Sequence, residues 1–137
     1  MIPIVVESPY AGETPRNLRY LRACMRDAIL RGESPYASHG LYTQPGVLRD
    51  DLPAERELGI QAGFVWRRLA AKTVFYQDLG ESRGMAYGRA HCVQHGLQYE
   101  LRTLGHQWEQ AQLERERHGD AADLWLESAM MPLEVPV

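Results

Sequence analysis

Four short apolar runs, parted by three segments of helical spacing, constrain this chain more than any other feature. The first, Ile2–Ser8 (IPIVVES), is rich in β-branched residues and meets the turn SPYAG, which reads as a buried strand entering a loop. From Pro15 to Leu30 the residues Leu18, Leu21, Cys24, Met25, Ala28 and Ile29 recur at helical spacing, with Thr14 as the expected N-cap and Gly32 past the end. Ser34–Tyr42 (SPYASHGLY) is a weaker strand, interrupted by small and polar residues. A loop rich in Pro, Gly and Asp follows, and Pro53 opens a helix running through Ile60, Phe64, Val65 and Leu69. KTVFYQDL, from Lys72, reads as a third strand, Gly84–Gln94 as a helix, and the alternation of Leu97, Tyr99 and Leu101 as a fourth strand.

Strands that alternate with helices pair in parallel and carry helices on both faces of the sheet. The expected fold class is α/β, a doubly wound three-layer core around a four- to five-stranded parallel sheet. Such sheets bind ligands beyond the carboxyl ends of their strands, so the loops to watch are Ser8–Gly12, Ser38–Asp51 and Asp78–Gly84. A length of 137 residues suits one compact domain. The core is expected over 1–105, and residues 106–137 as a helical extension. There Trp108, Leu113, Leu124, Trp125 and Leu126 would pack on the core or on a second subunit.

The net charge of −3 argues against general nucleic-acid binding, which needs an excess of clustered Lys and Arg. Lys72 is the only lysine among 15 basic residues; the Arg bias suits a small anionic ligand, although a GC-rich genome gives the same bias. Cys24 and Cys92 lack CxxC spacing, no secretory leader precedes the first apolar run, and no run approaches the roughly 20 apolar residues of a membrane span. A cytoplasmic protein without membrane partners is expected.

In the first loop Ser8 and Tyr10 lie just past the strand, and Gly12 lets a ligand approach the backbone; an ordinary turn would read the same way. In DLGESRGM, Ser82 is a candidate cap, Gly84 and Met85 present backbone N–H groups, and Arg83 can reach an anion. His39 can serve as acid or base, and Asp50 and Asp51 can bind ribose hydroxyls, unless the loop carries only solvated charge. His91 and His95 stand four apart without a third ligand, so no metal site is expected, and no cofactor.

Taken together, IVVESPYAG, the Pro- and Asp-bearing loop ahead of a helix, and DLGESRGMAYGRA resemble the nucleoside 2-deoxyribosyltransferase family and the related nucleoside-monophosphate N-glycosidases. The resemblance covers roughly residues 2–104 and is greatest to a branch of short, mostly phage-encoded proteins. It implies a flavodoxin-like, Rossmann-like fold, homo-oligomers, and a helix Glu that attacks the anomeric carbon to form a covalent glycosyl intermediate. It also implies that Tyr10 lines a sugar pocket, that Ser82 and Gly84 form a phosphate-side turn, and that Asp50 or Asp51 holds the base. The family pattern G-M-E-L-G-x-A is met here by Gly84, Met85, Ala86, Tyr87, Gly88, Arg89 and Ala90, so Ala86, or Gly88 in another alignment, stands where the attacking acid belongs. Glu81 and Glu7 are the local substitutes. The expected function is binding of a nucleotide or nucleotide-derived small molecule, in a phage protein sequestering a host signal in the host cytoplasm. The alternative is an N-glycosidase or deoxyribosyltransferase with a relocated acid.

Overall fold

The computed structural model describes residues 1–119. Its elements run β1 (Ile2–Glu7), α1 (Thr14–Leu30), β2 (Glu33–Tyr36), α2 (Ser38–Leu41), α3 (Pro53–Leu69), β3 (Lys72–Tyr76), α4 (Arg83–Gln94), β4 (Tyr99–Arg102) and α5 (Trp108–Gly119). The fold is α/β and Rossmann-like: one four-stranded, all-parallel sheet in the order β2-β1-β3-β4. After β2 the chain crosses over β1 to its other side, which places the topological switch point between β1 and β3.

Alternation along the strands divides the core into two unequal halves. Ile4, Val6, Val74 and Tyr76 face α1, where they meet Tyr20, Leu21, Cys24, Ala28 and, from α5, Trp108. Tyr20 and Trp108 touch edge to face at 4.8 Å, and Arg16 and Arg19 pair with Glu109 and Glu116 of α5. On the opposite face Phe75 packs with Met85, Cys92 and Leu97. That half is smaller, and a buried ion pair sits in it.

Beneath α1 a second polar cluster joins the two edge strands. Arg102 of β4 donates to both carboxylate oxygens of Glu33 of β2 at 2.8 and 3.0 Å, and to the Tyr76 hydroxyl at 2.9 Å. Tyr76 in turn donates to Asp27 at 2.8 Å. Lys72 adds contacts to Glu33 and Glu100 at 3.2 and 3.1 Å. Glu33 and Arg102 are only 5% and 8% exposed, so this is a desolvated pair with its hydrogen bonds satisfied. The hydrogen bond from Arg102 holds the Glu33 carboxyl below its ordinary range.

The structure corrects the sequence reading in three places. The second strand stops at Tyr36, and Ser38–Leu41, expected as strand end or loop, is a single helical turn. Thr14 does not cap α1: Glu13 holds the cap position without a side-chain bond, and the Thr14 hydroxyl donates back to the Tyr10 carbonyl at 3.2 Å. Asn17 does the work of ordering that loop, donating to the carbonyls of Tyr10 and Ala11 at 2.9 and 3.1 Å. The third strand ends earlier than expected, at Tyr76, and the fourth begins later, at Tyr99.

Candidate functional site

A cavity of about 370 Å³ opens at the switch point, within the usual range of small-molecule pockets of about 300–1,000 Å³. The end of β1 gives it Glu7, Ser8 and Tyr10, the turn after β2 gives Ser38, His39 and Tyr42, and α3 gives Ile60, Phe64 and Arg67. The start of α4 closes it with Ser82, Arg83, Gly84, Met85 and Tyr87. All three expected loops contribute. Gly12 and Asp51 do not line this cavity; they line an adjoining outer groove, which shares Tyr10, Asp50 and Arg56 with it.

Ser82 caps α4, its hydroxyl accepting the Met85 N–H at 3.2 Å. The Ala86 N–H bonds the Ser82 carbonyl, so the N–H groups of Arg83 and Gly84 are left for solvent or a guest. The Arg83 side chain has no ion-pair partner among the described residues. Asp50 and Arg56 approach at 3.8 Å on the outer wall, and Asp51 is engaged by Arg49 at 2.7 Å.

Two carboxylates were candidate acids, and the structure separates them. Glu81 turns outward into a two-pronged pair with Arg89 at 2.7 and 2.9 Å and takes no part in the cavity wall. Glu7 does line the cavity, but Arg67 meets it at 2.5 Å. Burial pushes the Glu7 carboxyl up, while the Arg67 charge and hydrogen bond pull it back. Arg67 is itself buried. It rests 4.6 Å from the Phe64 ring centroid and reaches the Gly88 carbonyl and His91 Nδ1, each at 3.4 Å.

Space for that guanidinium comes from Gly88, where an added Cβ would lie 2.9 Å from Arg67 Nη2. Arg67 thus fills the place that a longer side chain at 88 would enter. Ala86 is exposed and lies outside the lining. Neither position supplies an acid. His91 stacks on Phe64 at 3.9 Å and lies 4.4 Å from His95, a packing arrangement, and no cluster of three or more potential metal ligands occurs among the described residues.

Ser8 and His39, 31 residues apart, meet at 2.8 Å between Oγ and Nε2. Burial pushes the imidazole down to about 4 from its ordinary 6.5, and Nδ1 is buried without a partner among the described residues. Between these two values the unfolded chain binds the proton and the folded one does not, so stability from this group is full above pH 6.5 and lost as pH falls towards 4. The expected loss is about 3 kcal/mol. Glu7 acts with the opposite sign, its contribution being full below 4.5 and lost as pH rises. Urea denaturation of wild type and His39→Gln across pH isolates the histidine: the difference between the two curves should shrink as pH drops below 6.5.

The fold is that of a doubly wound α/β protein with a cavity at its switch point. A solved 2-deoxyribosyltransferase from the psychrotolerant bacterium Bacillus psychrosaccharolyticus shares this fold with a TM-score of 0.52 at 16% identity, over 74% of this chain and 72% of that one. Residues 3–102 match the family described as Domain of unknown function (DUF7768), and the chain belongs to that family. No curated protein matches the sequence.

Proposed function

We propose that this protein binds a nucleoside or nucleoside monophosphate in the switch-point cavity and holds it without breaking it. The observation that carries this reading is the make-up of the cavity wall. Phe64, Tyr87, Ile60 and Met85 give apolar lining for a base, while the first turn of α4 and Arg83 offer donors for a hydroxyl or a phosphate. Three carboxylates, Glu7, Asp50 and Glu55, balance three guanidiniums, Arg56, Arg67 and Arg83. A neutral wall of this kind suits a nucleoside or a single phosphate better than a polyphosphate. The shared fold with a 2-deoxyribosyltransferase agrees with a nucleoside-type guest.

In this reading residues 1–105 hold the guest and 106–137 are an extension. The protein works as a cytoplasmic homo-oligomer, and in a phage-encoded chain the sequestered guest is a host signalling nucleotide. Thermal unfolding tests the binding. A guest at about 100 times its Kd adds about 2.7 kcal/mol to the folded state and raises Tm accordingly. Arg83→Ala should erase the extra rise that a monophosphate gives over its nucleoside and leave the nucleoside's own rise intact. If no nucleoside or monophosphate shifts Tm at millimolar concentration, the proposal fails.

A second reading, N-glycoside cleavage with a relocated acid, is favoured by one observation: Glu7 lines the cavity. It requires that release of free base from a nucleoside be lost in Glu7→Gln and kept in Glu81→Gln.

A further inference from the structure

Ser8 closes the apolar run of β1 and is 4% exposed, yet it lines the cavity. Its hydroxyl has one side-chain partner among the described residues, His39 Nε2 at 2.8 Å, which is the reach of a nucleophile to its general base. His39 Nδ1 is buried without a hydrogen-bond partner among the described residues, so Ser8 is the one side chain bonded to the ring there. The same cavity includes Arg83 and Gly84, whose backbone N–H groups have no partner among the described residues, and such donors can stabilise a developing oxyanion. The balanced charges of the wall favour a neutral electrophile.

We propose that Ser8 and His39 form a nucleophile–base pair that accepts an acyl group from a small carboxylic ester. With the imidazole proton on Nδ1, Nε2 takes the hydroxyl proton as Ser8 Oγ bonds to the ester carbonyl carbon. The ester C–O bond then breaks, and the alcohol leaves with the proton held on His39. Water attacks the acyl-serine, giving its proton to Nε2. The carboxylic acid departs as Ser8 Oγ recovers that proton. This inference stands apart from nucleoside binding, because an ester without a base or sugar can test it.

The test treats the full chain with a fluorophosphonate and, separately, with an aryl acetate, following intact mass and phenolate release. A single adduct mapping to Ser8 and a burst of phenolate are expected. Both should vanish in Ser8→Ala, and His39→Gln should slow them by about 100-fold or more. The labelling rate should rise with pH through an inflection near 4 and not near 6.5, since the base must be neutral. Ser8→Ala removes only one buried oxygen and carries the test if His39→Gln does not fold. No adduct at any pH where the fold persists, an adduct elsewhere, or labelling indifferent to either substitution overturns the proposal. A protein that shows nucleoside-dependent Tm shifts but takes no adduct overturns this inference alone.

Discussion

Arg67→Met is expected to cost the fold about 3 kcal/mol at neutral pH, because it leaves the largely buried Glu7 carboxylate without its ion-pair partner. The side chain of Arg67 is 3% exposed and that of Glu7 is 14% exposed, so screening offers little relief. The pH dependence identifies the cause. Burial already pushes the Glu7 carboxyl up, and Arg67 is what opposes that push. Without Arg67 the group protonates at a higher pH, so the penalty should diminish as pH falls from 7 towards 5. Glu7→Gln in the Arg67→Met background should return part of the loss, a coupling that a double-mutant cycle reads directly. A penalty below about 1 kcal/mol that does not vary with pH would mean that Arg67 contributes chiefly by packing.

The second large effect is expected at the other end of the sheet's polar architecture. Arg102→Met removes the two-pronged partner of Glu33 and the hydrogen bond to Tyr76, leaving Lys72 at 3.2 Å as the remaining cation on that carboxylate. A loss of about 3 kcal/mol is expected at neutral pH, at the lower end of the range for broken buried pairs because Lys72 remains. Here the acid response differs in kind from that of Arg67→Met. Glu33 has its carboxyl held low by Arg102, so its contribution is full above 4.5 and disappears as pH falls through the depressed value. Wild type should therefore keep this contribution down to about pH 4.5 and lose it only below. Guanidinium or urea midpoints measured from neutral pH to pH 3 distinguish the two variants. A wild type that loses this stability well above 4.5 would show that Glu33 is not the group responsible.

The sheet and most of its helices were legible in the sequence because their residues report burial without ambiguity. IVV in β1 and TVFY in β3 are runs that only central, doubly covered strands sustain. Ser82 announced its cap by position alone. β2 was read too long because Pro35 and small residues blur an edge strand, where a missing N–H is tolerated. The site was half legible. Loops at strand ends pointed to Ser8, Tyr10, His39 and Ser82, but nothing local tells that Ser8 and His39 meet across 31 residues.

Arg67 was missed because a helical arginine reads as solvated, and its burial depends on a gap left by a residue 21 positions away. The one signal was glycine: Gly63 and Gly88 sit inside helices, where glycine is otherwise unfavourable, and both mark close approach. Glu81 misled by adjacency. It neighbours Ser82 in the chain, yet the start of α4 sends its side chain towards Arg89.

The unequal halves of the core divide the molecule's tasks. The α1–α5 side, with its larger apolar cluster and the Arg102 network, anchors the sheet. The α3–α4 side has a small apolar cluster, an ion pair in its interior and the cavity. Local opening favours regions with fewer buried apolar contacts, so α3 and α4 are expected to loosen while the sheet stays clamped from behind. Amino-acid exchanges around the cavity can then accumulate on one side of the sheet and leave the foundations on the other untouched.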